Sequence, residues 1–248
     1  MRNDYRFRST GYSWSGYFPL GVKWLLISNT AIFVLCFLFP SRSVFQWFSL
    51  SPEMVLKQFA VWQLVTYMFL HGGIGHILFN MLALWMFGTE LERVWGTRYF
   101  LKFYFVTGIG AGALTVLFAY LPFAFAQQLQ GANIIGASGA IYGLLLAYAL
   151  YFPDRPIYMY FIIPVPARVF VAIMGAIAFP NSVGSAGSGV SNVAHLGGML
   201  FGYLYLRMGF LRLDAGKLIQ RYQEWKLQRA KRKFQVYMRK HGRGPWVN

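Results

Sequence analysis

Long apolar runs separated by short polar or proline-containing breaks dominate this chain of 248 residues. Six of the runs are typical of membrane-spanning helices, which need about 20 mainly apolar residues. The predicted spans 1 to 6 cover residues 22–39, 74–94, 99–121, 138–152, 165–179 and 193–211. A proline directly follows four of these spans, as expected where a helix ends: Pro40, Pro122, Pro153 and Pro180. The pattern predicts an all-α polytopic membrane protein.

The composition agrees with this fold class. Hydrophobic residues make up 57% of the chain and charged residues 12%, whereas soluble proteins carry about 25% charged residues. We predict one membrane core at 22–212, between an N-terminal segment at 1–21 and a basic tail at 213–248. Residues 1–20 are polar, basic and aromatic and do not resemble a cleaved signal peptide, so span 1 is expected to be retained.

Two connecting segments differ from short polar loops. Residues 41–70 form a long, semi-apolar first loop with several aromatic side chains, which predicts a position in the membrane interface. Residues 181–191 are rich in Gly and Ser and are predicted to form a flexible loop, which either gates access or simply connects two spans.

The formal net charge of +16 is unevenly distributed. Lys and Arg concentrate in the N-terminal segment, in the connectors of spans 2 and 3 and of spans 4 and 5, and in the tail. The opposite side carries only Arg42 and Lys57, so both termini are predicted to be cytoplasmic. The six-span plan suggests a bacterial inner membrane. The tail is predicted to be helical at 214–240 and to contact lipid or solvent. No nucleic-acid motif accompanies it, so no nucleic-acid partner is expected.

Three polar residues fall at a similar depth in three parallel spans. Ser138 lies 14 residues before Phe152 at the cytoplasmic end of span 4, which is about 21 Å at a helical rise of ~1.5 Å per residue. The same count places His76 at roughly 21–24 Å and His195 at roughly 18–26 Å from that boundary. All three therefore share one layer of a hydrocarbon core that is ~30 Å thick. Ionisable residues inside the membrane are candidates for a functional site.

Ser138 and His195 are the residue types of a nucleophile and its general base. No Asp or Glu falls at their depth, so the pair is predicted to be a dyad. Tyr142 follows Ser138 by one helical turn, where its ring either stacks on the imidazole or packs as an ordinary aromatic side chain. The alternative for Ser138 is a hydrogen bond to its own helix backbone.

Span 2 supplies candidate oxyanion donors. His76 and Asn80 lie on one helix face and can point at the same spot, together with the Ser138 backbone N–H. The alternative for Asn80 is an interhelical hydrogen bond. His71 is predicted to be structural, because its spacing from His76 is not that of a helical metal pair; no metal or cofactor is predicted. Cys36 is the only cysteine, which excludes a disulfide within the chain and predicts a small apolar residue in the membrane.

Glycines four residues apart occur in three spans and permit close helix approach. If the faces of spans 4 and 6 meet, Ser138 and His195 can come within hydrogen-bond distance. Span 3 carries the pair Gly108 and Gly112. The predicted helix-packing positions of the site are Gly136, Gly139, Gly143, Gly198 and Gly202.

Five motifs together identify a family. In chain order they are Trp62-Gln63, His71-x4-His76-x3-Asn80, Gly88-x3-Glu92-x3-Gly96, Gly136-Ala137-Ser138-Gly139 with Tyr142, and Ala194-His195-x2-Gly198-x3-Gly202. The chain thereby resembles the rhomboid intramembrane serine proteases over roughly residues 25–211. The resemblance implies a six-helix rhomboid-like bundle with a long interfacial first loop. Many members have Arg where this chain has Gln63, so the anchoring of that loop differs.

The resemblance also implies a role for each candidate residue. Ser138 is implied to be the nucleophile and His195 the general base, supported by Tyr142. His76, Asn80 and the Ser138 amide are implied to bind the oxyanion. The implied reaction is hydrolysis of peptide bonds within or beside the transmembrane segments of membrane proteins, often after a small residue. The 181–191 loop and span 5 are the implied candidates for gating of substrate access.

Two other functions are compatible with a polar layer inside a helix bundle. A non-catalytic rhomboid-like protein would bind and route membrane clients, but such relatives lack the serine or the histidine. A small transporter or channel would need a polar midplane site, and the absence of acidic residues in this layer argues against proton or cation coupling.

Overall fold

The computed structural model describes residues 18–122, 124–127, 129–159, 162–184 and 192–208, together with Lys226. The chain divides into two compact units, Met1–Gly202 and Tyr203–Asn248. The first unit contains all the candidate site residues, and the description below concerns this unit. The predicted N-terminal segment lies mostly outside the described residues, as do the tail helix at 214–240, apart from Lys226, and residues 185–191.

The described chain is mostly helical. Its helices are α1 (Leu20–Leu38), α2 (Arg42–Phe48), α3 (Pro52–Lys57), α4 (Gln63–Thr66), α5 (Ile74–Ala83), α6 (Thr89–Trp95), α7 (Thr97–Ala119), α8 (Ala124–Gln127), α9 (Ser138–Tyr151), α10 (Ala167–Gly184) and α11 (192–208). A 3-10 turn, Tyr67–Phe69, follows α4. A π-helical turn, Leu84–Gly88, joins α5 and α6 into one continuous helix, Ile74–Trp95.

Each predicted span coincides with a helix in the described residues. Three of these helices are long and apolar enough to cross a membrane by length and composition: Leu20–Leu38, Ile74–Trp95 and Thr97–Ala119. Two shorter apolar helices, Ser138–Tyr151 and Ala167–Phe179, follow. The protein is therefore a multi-pass membrane protein, while the count of six crossings stays a prediction.

Span 5 differs from its prediction at both ends. The helix begins at Ala167 rather than at residue 165, and it continues through Pro180 to Gly184. Residues 181–184 of the predicted flexible loop are thus helical. Membrane helices tolerate proline because neighbouring groups can satisfy the backbone carbonyl that it leaves free.

A small β-hairpin precedes α10 and was not predicted. Strand β1 (Pro156–Met159) pairs antiparallel with β2 (Ile163–Pro166), and the register places Ile157 opposite Val165. The flanking pair, Pro156 and Pro166, cannot donate a backbone hydrogen bond, which suits positions at the ends of a ladder. The fold is thus helical except for this two-stranded sheet in the described residues.

The first loop contains short helices rather than irregular chain. Ser41 caps α2 by accepting a hydrogen bond from the Val44 amide at 3.4 Å. Ser51 caps α3 in the same way through Met54 at 3.5 Å, and Pro52 occupies the first helical position. Serine caps and an N1 proline are local signals for helix starts. They permit the semi-apolar loop to satisfy its backbone in an apolar environment.

α7 lies at the centre of the first unit, where it packs most extensively against α9 and also contacts α1, α3, α4 and α6. Its buried face includes Phe100, Phe103, Tyr104, Thr107 and Ala111. The Gly108 and Gly112 pair faces the first loop, since a Cβ at Gly108 would overlap Met68 and one at Gly112 would touch Tyr67. α7 therefore packs against both α9 and the first loop.

The start of α1 is bound to the end of the Ile74–Trp95 helix. The buried Glu92 carboxylate accepts hydrogen bonds from the amides of Gly21 and Val22, both at 2.8 Å. Thr97 donates a third hydrogen bond to this carboxylate at 2.6 Å. A carboxylate near a helix N-terminus satisfies free amides and interacts favourably with the helix dipole. This contact fixes α1 against α6 and α7.

Candidate active site

Ser138 and His195 are brought together from helices that are far apart in sequence. The Ser138 Oγ lies 2.8 Å from the His195 Nε2. Ser138 is the first residue of α9, and His195 lies in α11. His195 is buried, whereas Ser138 is half-buried. The distance is that of a hydrogen bond between a nucleophile and its base.

The close crossing of α9 and α11 makes this distance possible. A Cβ added at Gly198 would overlap the Gly139 carbonyl oxygen, and one at Gly202 would approach the Gly143 Cα to 3.3 Å. Any larger residue at Gly198 would push the two helices apart. The predicted small-residue faces of spans 4 and 6 therefore lie against each other.

Tyr142 stacks on His195. Its ring centroid lies 4.1 Å from that of His195, and the two planes are inclined by 3°. No hydrogen bond joins His195 to a carboxylate in the described residues, and its buried Nδ1 has no hydrogen-bond partner there. The orientation of the imidazole is therefore held by stacking and by Ser138.

His76 lies beside the turn that precedes the nucleophile. Its Nδ1 accepts a long hydrogen bond, 3.4 Å, from the Gly72 amide, which assigns the proton to Nε2. The buried Nε2 has no partner among the described residues. A Cβ added at Gly136 would lie 2.6 Å from this atom. The His76 Nε2–H therefore lies beside the turn next to Ser138 and has no acceptor among the described residues.

The turn before Ser138 depends on a glycine. Gly136 has φ +117°, a conformation that L side chains rarely adopt. It therefore belongs to this turn rather than to the helix face where it was predicted to pack. The turn places Ser138 at the start of α9, so its backbone N–H has no acceptor within the helix and remains available as a donor.

Asn80 lies one turn after His76 on the same helix and is buried. Its Nδ2 donates a hydrogen bond to the His76 carbonyl at 2.8 Å. The side chain has a second N–H that this bond leaves free. The structure thus places Asn80 next to His76, with its amide partly occupied by its own helix.

Comparisons with known proteins show the family of this chain. The family profile described as "Rhomboid domain" matches residues 58–212, which is more than half of the chain. The chain belongs to the rhomboid family.

Curated rhomboid proteins from plant, yeast and bacterium are similar to this chain. The "RHOMBOID-like protein 12, mitochondrial" of Arabidopsis thaliana is 31% identical over 70% of this chain and 54% of its own length. The "Rhomboid protein 1, mitochondrial" of Saccharomyces cerevisiae is 38% identical over 55% of this chain and 38% of its own length. The "Rhomboid protease GluP" of Bacillus subtilis is 33% identical over 63% of this chain and 27% of its own length. The chain spans about half or less of the length of these relatives.

In this rhomboid the first loop is held by an uncharged residue. Gln63 is fully buried. Its Oε1 accepts from the Ser51 amide at 3.0 Å, and its Nε2 lies 3.3 Å from the Gln46 carbonyl and 3.2 Å from the Trp47 carbonyl. One neutral side chain thereby links the end of α2, the start of α3 and the start of α4.

Tyr67 connects this loop to the active site and was not singled out from the sequence. It is almost fully buried, and its hydroxyl donates to the Gly108 carbonyl at 2.7 Å. Its own carbonyl accepts from the Gly136 amide at 2.8 Å. The first loop therefore contacts the turn before Ser138 directly. An aromatic residue in an aromatic loop gives no sequence signal for this role.

His71 lies next to His76 but outside the pair of reacting groups. The two rings form an edge contact with centroids 5.1 Å apart, and His71 is buried. Among the described residues no three His, Cys, Asp or Glu side chains come together as a metal-binding group.

Proposed function

We propose that this rhomboid is an intramembrane serine endopeptidase that uses a Ser138–His195 dyad. The observation that carries the proposal is the 2.8 Å contact between the Ser138 Oγ and the His195 Nε2. This contact lets the imidazole take the hydroxyl proton as the serine attacks a carbonyl carbon. The bacterial relative named as a rhomboid protease supports the same activity.

The proposed reaction proceeds through an acyl-enzyme. Ser138 Oγ forms a bond to the scissile carbonyl carbon, and His195 Nε2 receives the proton. The C–N bond then breaks as the imidazolium returns this proton to the leaving amine. Water attacks the ester, and His195 accepts its proton. The ester bond to Ser138 breaks next, the serine oxygen is reprotonated, and the carboxylic acid leaves.

The negative oxygen of the tetrahedral intermediate is proposed to bind between span 2 and the start of α9. The donors are the His76 Nε2–H, the Asn80 amide and the Ser138 backbone N–H. The unused His76 Nε2 beside Gly136 supports this assignment. Preorganised donors in a low-dielectric site stabilise developing charge without reorganisation.

Tyr142 is proposed to act in place of a triad carboxylate. Stacking at 4.1 Å keeps the imidazole plane fixed while the ring gains and loses a proton. Its contribution is orientation of the base, and it does not exchange a proton with the substrate.

The proposed substrates are membrane proteins with one transmembrane segment, cleaved within or beside that segment and often after a small residue. A site below the membrane surface requires a substrate helix to unwind locally, so helix-destabilising residues near the cleaved bond would favour cleavage. The proposed catalytic core comprises residues 22–212, and α10 with the following segment is the proposed gate.

The proposed location is a bacterial cell membrane with both termini in the cytoplasm. The distribution of Lys and Arg along the sequence supports this orientation. The basic tail at 213–248 is proposed to contact anionic lipid rather than nucleic acid. Reporter fusions after residues 122 and 212 would test this topology, since opposite sides are expected for the two fusion points.

Cleavage of a reporter substrate tests the proposed activity. Purified full-length protein is incubated in proteoliposomes with a single-span reporter, and fragments are separated by mass. Cleavage is expected for the parent chain and is expected to disappear with Ser138→Ala and with His195→Ala. Equal cleavage by either variant and the parent would exclude the dyad.

Two outcomes would support the other function classes. Stable binding of the reporter without cleavage by the parent chain would indicate a client-binding protein. Uptake of solutes into the vesicles without cleavage would indicate transport. A Ser138→Ala variant with the same unfolding midpoint as the parent serves as the control for folding.

A further inference from the structure

The short helix α2 separates an apolar groove from a polar cavity. The groove has a volume of about 460 Å³ and lies between α1, α2 and the segment that follows α4. The side chains that line it include Ile32, Leu35, Cys36, Val44, Phe48 and Phe69. Thr66 also lines the groove, but its hydroxyl already donates to the Phe48 carbonyl at 2.8 Å. The groove therefore favours a hydrocarbon chain over water or a polar ligand.

The groove is continuous with a surface that faces lipid. Leu35 belongs to α1, one of the helices long enough to cross a membrane, and Phe39 directly follows this helix; the two are 58% and 72% exposed. Such exposure of large apolar side chains in a spanning helix marks contact with acyl chains. The groove thus extends the lipid-facing surface of α1 into the first loop.

The other edge of α2 carries a cation, Arg42. It lines a second cavity, of about 650 Å³, together with Gln46, Gln58 and Asn133. Glu53 also lines this cavity, and its carboxylate is paired with Lys57 at 2.8 Å. The ion pairs found in the described residues join Lys57 to Glu53, Arg155 to Glu90 and Arg168 to Asp154, so Arg42 has no acidic partner there. An exposed guanidinium beside amide side chains suits an anionic oxygen ligand such as a phosphate.

α2 is amphipathic, so the Arg42 cavity and the apolar groove lie along opposite edges of the same short helix. Arg42 and Gln46 are four residues apart on its polar edge, while Val44 and Phe48 are four apart on its apolar edge. The tryptophans beside it, Trp47 and Trp62, stack with centroids 6.2 Å apart, and both are partly exposed. Tryptophan is enriched where the membrane meets water. α2 therefore lies at the boundary between headgroups and acyl chains.

We propose that the first loop binds one anionic phospholipid, with its phosphate at Arg42 and an acyl chain in the groove between α1 and α2. Charge complementarity at Arg42 and continuity with the lipid-facing surface of α1 both support this occupant. The side chains that line the groove are almost all apolar, which suits an acyl chain.

The single cysteine provides a direct probe of the groove. Cys36 is a free thiol that lines it. An acyl chain in the groove would shield this thiol from an apolar maleimide. The full-length protein in detergent is alkylated in the presence of dioleoyl phosphatidylglycerol or of dioleoyl phosphatidylcholine, and the rates are followed by mass spectrometry. This readout does not depend on proteolysis, so its outcome is independent of the proposed function.

We expect phosphatidylglycerol to slow alkylation of Cys36 at about fivefold lower lipid concentration than phosphatidylcholine, since one Arg near an anionic headgroup contributes about 1 kcal/mol. The variant Arg42→Gln is expected to abolish this difference. The double variant Glu53→Gln with Lys57→Gln removes the ion pair of the first loop without a change in net charge, and it should keep the difference. A variant Val44→Trp, which fills the groove, should slow alkylation without any added lipid.

Four results would overturn the proposal. Equal protection by both lipids would mean that the site does not select an anionic headgroup. An unchanged preference in Arg42→Gln would mean that Arg42 does not bind the phosphate. Protection that depends on protein concentration would identify a second copy of the chain as the occupant. Protection by the single-span reporter but not by lipid would identify a substrate segment. Equal unfolding midpoints for the parent, Arg42→Gln and the Glu53→Gln, Lys57→Gln double variant exclude a folding defect as the cause.

Discussion

Two parts of this molecule differ in whether their buried polar groups have hydrogen-bond partners. At the junction of α1 with α6, the Glu92 carboxylate receives three hydrogen bonds, and in the first loop Gln63 uses both ends of its amide. Beside Ser138, in contrast, the His76 Nε2 and the His195 Nδ1 have no partner among the described residues. Satisfied groups stabilise the fold, whereas unpaired groups destabilise it and remain available for a ligand or a reacting substrate.

This contrast predicts that substitutions of the hydrogen-bonded groups will lower stability, whereas substitutions of the unpaired groups will lower activity. Changes at Glu92 or Gln63 should lower the free energy of unfolding. Changes at His76 should lower the rate of cleavage with little loss of stability. A change at the crossing of α9 and α11 should lower both stability and activity, because this crossing holds Ser138 beside His195 and packs two helices of the bundle together.

The largest effect is expected at the helix crossing. Gly198→Ala places a methyl group on the Gly139 carbonyl oxygen, so α9 and α11 must separate and Ser138 leaves His195. We expect loss of detectable cleavage and a lower unfolding midpoint in detergent. Gly175→Ala is the matched control, since the nearest atom to its new Cβ is the Met199 sulphur at 3.6 Å. Equal behaviour of the two variants would contradict the close crossing.

The second-largest effect is expected at the junction of α1 with α6. Glu92→Ala removes an acceptor of three hydrogen bonds and leaves the Gly21 and Val22 amides without it. We expect the free energy of unfolding to fall by about 3 kcal/mol. Glu53→Ala is the control, because Glu53 is exposed and its pair with Lys57 contributes less than about 1 kcal/mol. A similar loss for both variants in chemical unfolding would show that Glu92 has no special role.

The substitution His76→Ala tests the prediction for the unpaired groups beside Ser138. Removal of one oxyanion donor is expected to lower kcat about 100-fold, which corresponds to about 2.7 kcal/mol in the barrier. The free energy of unfolding should change by less than about 1 kcal/mol, since among the described residues the His76 side chain loses only the long hydrogen bond from Gly72. Steady-state cleavage and unfolding are measured on the same preparation. A large loss of stability with unchanged kcat would make His76 structural.

A smaller effect is expected in the first loop. Gln63→Leu keeps the volume but leaves the Ser51 amide and the Trp47 carbonyl without their partner. We expect unfolding to become easier by about 2 kcal/mol. Gln63→Glu would place a buried carboxylate against the Gln46 and Trp47 carbonyl oxygens, so it should destabilise the fold at least as much as Gln63→Leu. If Gln63→Leu unfolds like the parent, other contacts hold the loop.

Local sequence patterns located most of the helices. The span at 74–94 corresponds to the helix Ile74–Trp95, and the span at 138–152 to Ser138–Tyr151, because a long apolar run is itself the signal for a membrane helix. The hairpin at 156–166 and the start of α10 were missed, since an apolar run of strand length does not distinguish strand from helix. Pro180 was read as a helix end, although the helix continues past it.

The residue types of the site were recognisable in the sequence, but their contacts were not. Ser138, Tyr142 and His195 carry the chemistry and the spacing of a dyad with a stacking aromatic. The carbonyl of Tyr67 accepts from Gly136, and this contact joins the first loop to the turn before Ser138. Backbone carbonyls are the same in every residue, so no side-chain pattern points to such a bond. For Gln63 the sequence showed a departure from Arg, and only the structure showed which groups it binds.

The sequence alone determined which segments are apolar enough for the membrane, because transfer into lipid depends on composition within one run of residues. It also supplied a serine, a histidine and small residues at helical spacing. The tertiary structure decided that Ser138 and His195 meet at 2.8 Å. That contact joins residues 57 positions apart, and it exists because two glycine faces without side chains permit α9 and α11 to approach each other.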